Sequence, residues 1–68
     1  MPSSNGHARA EQGKSHHEGW DEALDEALKN ASVLGPPGTY HVTVTFSATV
    51  EVTNPGTIQG YSVTLNPN

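Results

Sequence analysis

Between residues 15 and 31 the apolar side chains recur at spacings of three and four, which is the period of an amphipathic helix. Ser15 and Glu18 form a capping box, in which each side chain satisfies a free backbone N–H at the other's position. The Gly-Pro-Pro-Gly segment at 35–38 then ends the helix, because proline cannot continue it. The predicted apolar stripe consists of Trp20, Ala23, Leu24, Ala27, Leu28 and Ala31.

From residue 40 to residue 53 the period changes to two, which predicts a long half-buried strand. Asn54-Pro55-Gly56 predicts the turn into a second strand. Ile58 is out of phase with the apolar residues after it, and a β-bulge near 59–60 would return its side chain to the buried side. The predicted apolar faces are Tyr40, Val42, Val44, Phe46, Ala48, Val50 and Val52 on the first strand, and Tyr61, Val63 and Leu65 on the second.

Residues 1–14 are polar, and this composition is typical of a disordered tail. Because Ala8 and Ala10 alternate with charged residues, a short edge strand over residues 7–12 is the alternative. The chain therefore predicts an α+β fold with one amphipathic helix packed on a small antiparallel sheet. The order is β-α-β-β, or α-β-β if the first strand is absent. In either case residues 15–66 form a single helix-plus-hairpin domain.

The lengths of the helix and the long strand predict a homo-oligomer. A strand of thirteen residues spans about 43 Å, whereas a helix of fourteen or fifteen residues covers only about 22 Å. One helix therefore cannot shield the whole apolar face of that strand. The chain has 68 residues and no cysteine, so a disulfide cannot supply the missing stability, and small domains without such staples commonly assemble.

Charge and hydropathy exclude several classes of partner. Three basic residues stand against seven acidic ones, whereas a protein that binds nucleic acid needs clustered lysine and arginine. No apolar run approaches the roughly 20 residues of a membrane span. The first residues contain no apolar core of a signal peptide, so we expect a cytoplasmic protein.

The sequence predicts no enzyme. It has neither a cysteine nucleophile nor a Gly-x-Ser-x-Gly elbow. Ser15 next to His16 and His17 is better explained as a helix cap than as a nucleophile with its base.

The histidines raise a metal-binding hypothesis. His17 and Asp21 lie four residues apart and can share one face of the helix, which makes them the candidate ligands. Solvated histidines in the first turn of a helix are the ordinary alternative.

Three stretches of the sequence resemble the dodecin family. Residues 10–15, Ala-Glu-Gln-Gly-Lys-Ser, followed by 19–24, Gly-Trp-Asp-Glu-Ala-Leu, are similar to that family's first strand end, turn and helix opening. Residues 61–65, Tyr-Ser-Val-Thr-Leu, are similar to its last strand. The resemblance implies a β-α-β-β chain with its helix on a curved antiparallel sheet, assembled into a hollow dodecamer.

The resemblance also implies flavin as the candidate cofactor, but the flavin contacts are not matched. Flavin-binding dodecins stack a tryptophan on the flavin ring at the start of the second strand, and residues 40–43 here contain none. The glutamine that follows the last-strand tyrosine in that family corresponds to Ser62. The candidate cofactor contacts are therefore Tyr40, Ser62 and Gln59.

Three functional hypotheses follow from these features. The first is a non-enzymatic, self-assembling binding or storage module that resembles dodecins, with its small-molecule ligand unknown. The second is a small protein-interaction module that pairs an exposed strand edge with a partner chain. The third is a weak metal-binding protein.

Overall fold

The computed structural model describes residues 2–68 and contains one helix on one face of a three-stranded antiparallel sheet. The strand order in the sheet is β1-β3-β2, so the first and second strands are the two edges. This confirms the α+β fold in its β-α-β-β form. The elements are β1 (Ser4–Arg9), α1 (His16–Lys29), a 3-10 turn (Ala31–Leu34), β2 (Val42–Glu51) and β3 (Thr57–Pro67).

The N-terminal segment forms strand β1, which pairs with β3 from Ser4 opposite Leu65 to Arg9 opposite Gly60. The structure therefore has the strand alternative rather than the disordered tail, and the strand lies earlier than the expected 7–12. Composition misled here because the side of β1 that faces the helix carries small residues instead of large apolar ones. Ser4 and Gly6 are both buried.

Helix α1 begins as predicted, with Ser15 as its N-cap. The Ser15 Oγ accepts a 3.2 Å hydrogen bond from the Glu18 backbone N–H. The helix ends at Lys29 and has fourteen residues, in agreement with the expected length, but Ala31 of the predicted apolar stripe already belongs to the 3-10 turn. Gly35 closes that turn at φ 148° and donates its N–H to the Ser32 carbonyl, 3.3 Å away.

The helix approaches β1 unusually closely, because the contact is made by residues with little or no side chain. Ala23 and Ala27 are completely buried, and the Ser4 hydroxyl donates a hydrogen bond to the Ala27 carbonyl. A Cβ atom on Gly6 would overlap the backbone of both alanines. Leu28, which the periodicity placed on the apolar stripe, is mostly exposed, because the helix meets the sheet through its alanines.

Strand β3 is the centre of the sheet and supplies most of the core. Its Tyr61, Val63 and Leu65 are buried against the helix, as their alternation predicts. The predicted bulge is also confirmed. Thr49 pairs with Gly60 but Val50 pairs with Ile58, so Gln59 is the extra residue and Ile58 returns to the core side.

Strand β2 is shorter than the alternating pattern of residues 40–53. It runs only from Val42 to Glu51, because β-pairing requires a partner and β3 offers one from Thr57 to Pro67. Tyr40 and Thr53 therefore lie in the connections at the two ends of the strand.

Candidate interaction surface

The two faces of the sheet differ in chemistry because paired residues of neighbouring strands point to the same side. Val44, Phe46 and Ala48 lie opposite Leu65, Val63 and Tyr61, so their side chains share the face that carries the helix. The other face is lined by hydroxyl and amide side chains. Its members on β2 and β3 are Thr43, Thr45, Ser47, Thr49, Ser62, Thr64 and Asn66.

The helix covers only part of the apolar face. It packs on β1 and β3, and the apolar side of β2 extends beyond it. Phe46 is 54% exposed, Val50 is 56% exposed, and Val52, just beyond the strand, is 92% exposed. Val44 is also exposed. We call these four residues the β2 apolar stripe.

Aromatic contacts join the stripe to the core. Trp20 packs edge-on against Tyr61, with ring centroids 4.9 Å apart, and edge-on against Phe46 at 5.5 Å. Such edge-to-face pairs stabilise by about 0.5–1.5 kcal/mol beyond the area they bury. Phe46 is therefore held in place on its helix side and presents its other side outward.

The outer edge of β1 is occupied by side chains of the neighbouring segments. Alternate residues of an edge strand direct their N–H and C=O groups away from the sheet. On β1 these are Asn5, His7 and Arg9, because Ala10 N–H donates to the Gln59 carbonyl of β3 and so sets the alternation.

Each of those three residues has one outward group engaged. Asn30 Nδ2 donates to the Asn5 carbonyl at 3.1 Å, and the His7 N–H donates to Glu26 Oε1 at 3.3 Å. Lys14 Nζ donates to the Arg9 carbonyl at 3.4 Å. Charged side chains also crowd this edge: all three basic residues of the chain line the groove beside it, together with four acidic ones. We call this arrangement the β1 edge closure.

Lys14 is held at this edge by acidic neighbours. It forms ion pairs with Glu22 and, at 3.8 Å, with Glu11. The hydrogen bond to Glu22 raises the pKa of Lys14 above its usual value. The lysine therefore stays charged across the neutral range, and its charge is matched locally rather than presented to an anion.

The outer edge of β2 is open by comparison. Among residues 2–68, no side chain forms a hydrogen bond to the backbone of residues 42–51. The strand carries a single charged residue, Glu51, at its end. Long uncharged edges of this kind readily pair with another strand.

The three candidate cofactor contacts do not converge within one copy of the chain. Tyr40 precedes β2 at the Val42 end, where its hydroxyl donates to the Pro36 carbonyl. Gln59 lies near the other end of the strand and donates to Glu51 Oε2 at 2.9 Å. The strand is ten residues long, so its two ends lie about 30 Å apart. Ser62 lies between them on the polar face, opposite Ser47.

Two open clefts flank the β2 strand. One of about 420 Å³ lies at the bulge end, where the apolar side chains of Val50 and Ile58 face Lys14 and His16. The other, of about 240 Å³, lies in the Gly-Pro-Pro-Gly connection beside Tyr40. Neither cleft contains more than one of the three candidate cofactor contacts.

The candidate metal ligands do meet, but as a pair. His17 Nε2 lies 3.3 Å from Asp21 Oδ2 on the exposed side of the helix. Within the described part of the chain, no group of three or more histidine and acidic side chains is arranged to hold a metal ion. Two ligands on a solvated helix face give the geometry of a surface ion pair when the histidine is protonated.

Comparison with family models, curated proteins and solved structures found no significant match to this chain. None of the helices formed by residues 2–68 has both the length and the apolar character needed to span a membrane.

Sequence reasoning identified the β2 apolar stripe but missed the β1 edge closure. Glu26 and Asn30 lie four residues apart on the helix, as expected for two side chains on one face. Nothing in that spacing says that a strand lies beside them, because the strand comes from a distant, polar part of the chain. A polar segment with alternating small residues was the one available signal.

Proposed function

We propose that this chain is a non-enzymatic, self-assembling binding or storage module of the dodecin type, and that homo-oligomerisation covers the β2 apolar stripe. The observation that carries the proposal is the exposure of the four large apolar side chains of the β2 apolar stripe, which the helix does not cover. Fully burying such a side chain stabilises by about 1.5–3 kcal/mol. Covering the exposed halves of four would contribute roughly 3–6 kcal/mol per copy, which is comparable to the whole stability of a small domain.

The architecture supports the same proposal. The strand order β1-β3-β2 with a single helix on one face is the β-α-β-β arrangement that the dodecin resemblance implies. Trp20, which has no counterpart among the flavin contacts of that family, packs between Tyr61 and Phe46 and so supports the stripe.

The ligand of such a module would bind between copies. Because Tyr40 and Gln59 lie at opposite ends of β2, a site containing both requires residues from more than one subunit. A tyrosine ring offers an aromatic face, and serine and glutamine side chains offer hydrogen bonds, a combination suited to a planar aromatic ligand such as a flavin.

The decisive experiment is light scattering coupled to size exclusion, with the absorbance spectrum recorded from the same peak. We expect a mass that is a whole multiple of the 7.2 kDa chain and is unchanged by moderate dilution. Titration with riboflavin, followed by quenching of its fluorescence, then tests the ligand. A protein that remains a 7.2 kDa monomer at high concentration would contradict the proposal.

The open edge of β2 favours a second candidate function. A peptide segment of a different protein could pair with residues 42–51 as an added strand, which makes the chain an interaction module. The two candidate functions predict different oligomeric states for the isolated protein. A module that pairs with other proteins stays monomeric alone, whereas a self-assembling module does not.

A further inference from the structure

We propose that the occupant of the β2 edge is the β2 strand of a second copy, paired antiparallel across a two-fold axis with Phe46 opposite Phe46. The inference rests on the proposed self-assembly and adds to it the surface, the orientation and the register. It makes a continuous six-stranded sheet from two three-stranded ones.

The choice of edge follows from the contrast between β1 and β2. Side chains of Lys14, Glu26 and Asn30 occupy one outward backbone group on each of the three outward-facing residues of β1. An incoming strand there must displace these bonds and enter a charged groove. Since β2 bears no such obstruction, it is the edge at which a copy can add. A subunit that pairs through one edge with itself forms a closed, isologous contact and not a filament.

In β2 the residues whose backbone groups point away from the sheet are also the residues with apolar side chains. The Asn68 N–H donates to the His41 carbonyl at 3.1 Å, which marks the odd-numbered residues as those bonded to β3. The even-numbered residues therefore direct their N–H and C=O groups outward. They are Val42, Val44, Phe46, Ala48 and Val50, the same residues whose side chains lie on the apolar face.

This coincidence of outward backbone groups and apolar side chains restricts the register between β2 and the β2 strand of the second copy. An even-numbered residue must oppose an even-numbered residue, because a shift by one would place apolar side chains on the polar face. The two registers nearest to full overlap set Phe46 opposite Phe46 or Ser47 opposite Ser47. Only the first also places His41 opposite the partner's Glu51, a pair of complementary charge when the histidine is protonated. The symmetry supplies that pair twice, so we assign the Phe46 register.

The absence of cysteine from the chain makes a cross-linking test clean. In the assigned register Thr45 lies directly opposite the partner's Ser47, on the exposed polar face. Such a non-hydrogen-bonded pair has Cα atoms about 4.5 Å apart, within the range of a disulfide. Thr45→Cys and Ser47→Cys are co-expressed, oxidised mildly, and resolved by mass spectrometry without reduction.

We expect about tenfold more disulfide-linked heterodimer from the pair than linked homodimer from either variant alone, because only the mixed pair is within disulfide reach. Thr45→Cys with Ser32→Cys, an exposed residue of the 3-10 turn, is the matched control. Thr43→Cys with Thr49→Cys tests the same register at an independent position, in case one variant folds poorly.

Three results would overturn the inference, each in a different way. Efficient linking of Ser47→Cys to itself would show the alternative register. Linking no better than the Ser32 control, in a protein that light scattering shows to be oligomeric, would place the interface elsewhere and leave self-assembly standing. A monomeric wild-type protein would remove both the inference and the proposed function.

Discussion

Strands β1 and β2 are the two edges of one sheet, but they differ in length, in charge and in how their outer backbone groups are bonded. β1 is short, presents small residues to the helix, and has its outer backbone engaged by Lys14, Glu26 and Asn30. β2 is longer, nearly uncharged, and exposed along both its edge and its apolar face. The comparison shows that one helix can protect one edge of a small sheet while the other edge stays open to pairing.

The two edges also differ in the kind of free energy involved. Each hydrogen bond of the β1 edge closure contributes only about 1 kcal/mol net, and its main effect is to exclude other strands. The β2 apolar stripe offers several kcal/mol to any surface that covers it. In the proposed assembly, the β1 edge closure would exclude other strands and the β2 apolar stripe would supply the affinity.

The largest effect, a loss of stability, is expected from adding a side chain at the close contact between β1 and the helix. Gly6→Ala places a Cβ atom in the backbone of Ala23 and Ala27, so the helix must move away from the strand. Overpacking of this kind costs about 1–3 kcal/mol and sometimes more. We expect a large fall in the urea midpoint of unfolding.

Gly38→Ala is the matched control for that substitution, because a Cβ atom there meets only an ordinary contact with the Pro36 carbonyl. Equal unfolding midpoints for Gly6→Ala and Gly38→Ala would contradict the close approach of β1 and the helix.

The next largest effect is expected at the β2 apolar stripe. Phe46→Glu places a charge at the centre of the proposed contact, and two-fold symmetry would oppose it to its own copy. We expect the mass measured by light scattering to fall to that of a monomer. Val33→Glu is the control, since Val33 is 51% exposed but lies on the 3-10 turn. A Phe46→Glu protein that retains the wild-type mass would show that β2 is not the interface.

A smaller effect is expected from opening the β1 edge. The double substitution Glu26→Ala with Asn30→Ala frees the His7 N–H and the Asn5 carbonyl. Stability should fall by about 2 kcal/mol at most, and each subunit would then have a second edge at which only the Lys14 bond to the Arg9 carbonyl remains.

Two open edges allow head-to-tail addition, so we expect species larger than the wild-type assembly on size exclusion. Asp25→Ala with Asn30→Ala keeps the charge change of the double variant but leaves the Glu26 bond in place. If both double variants elute with the wild type, the edge closure does not control association.

The smallest effect is expected for the stability that Lys14 contributes and for its dependence on pH. Its hydrogen bond to Glu22 raises its pKa above the ordinary 10.5, so it contributes stability below that pH that is lost as the pH rises through the raised value. Urea unfolding should therefore show a difference between wild type and Lys14→Gln that is constant up to about pH 9.5 and shrinks as the pH rises above 10.5. A difference that is constant with pH would contradict the assignment.

Much of the fold was predictable from local signals. Ser15 with Glu18 marked the helix start, the alternation around Tyr61, Val63 and Leu65 marked the buried side of β3, and the phase of Ile58 revealed the bulge. These features depend on residues close together in the chain, where spacing determines which side chains share a face. The candidate cofactor contacts were not predictable as a site, because Tyr40 and Gln59 are separated by the length of β2.

By itself, the sequence determined the helix, its cap, the hairpin and the bulge. It also determined that the apolar face of the long strand is longer than the helix that could cover it. Each of these features follows from the period of the apolar residues or from the length of a segment. Only the tertiary structure decided that the polar N-terminus is a strand, since Gly6 is buried there by the helix backbone and not by hydrophobicity of its own. It also decided which edge is closed, because the bonds from Glu26 and Asn30 to β1 join residues that are far apart in the chain. Contacts of that kind leave no periodic pattern in the sequence, and they form only once the helix has packed on the sheet.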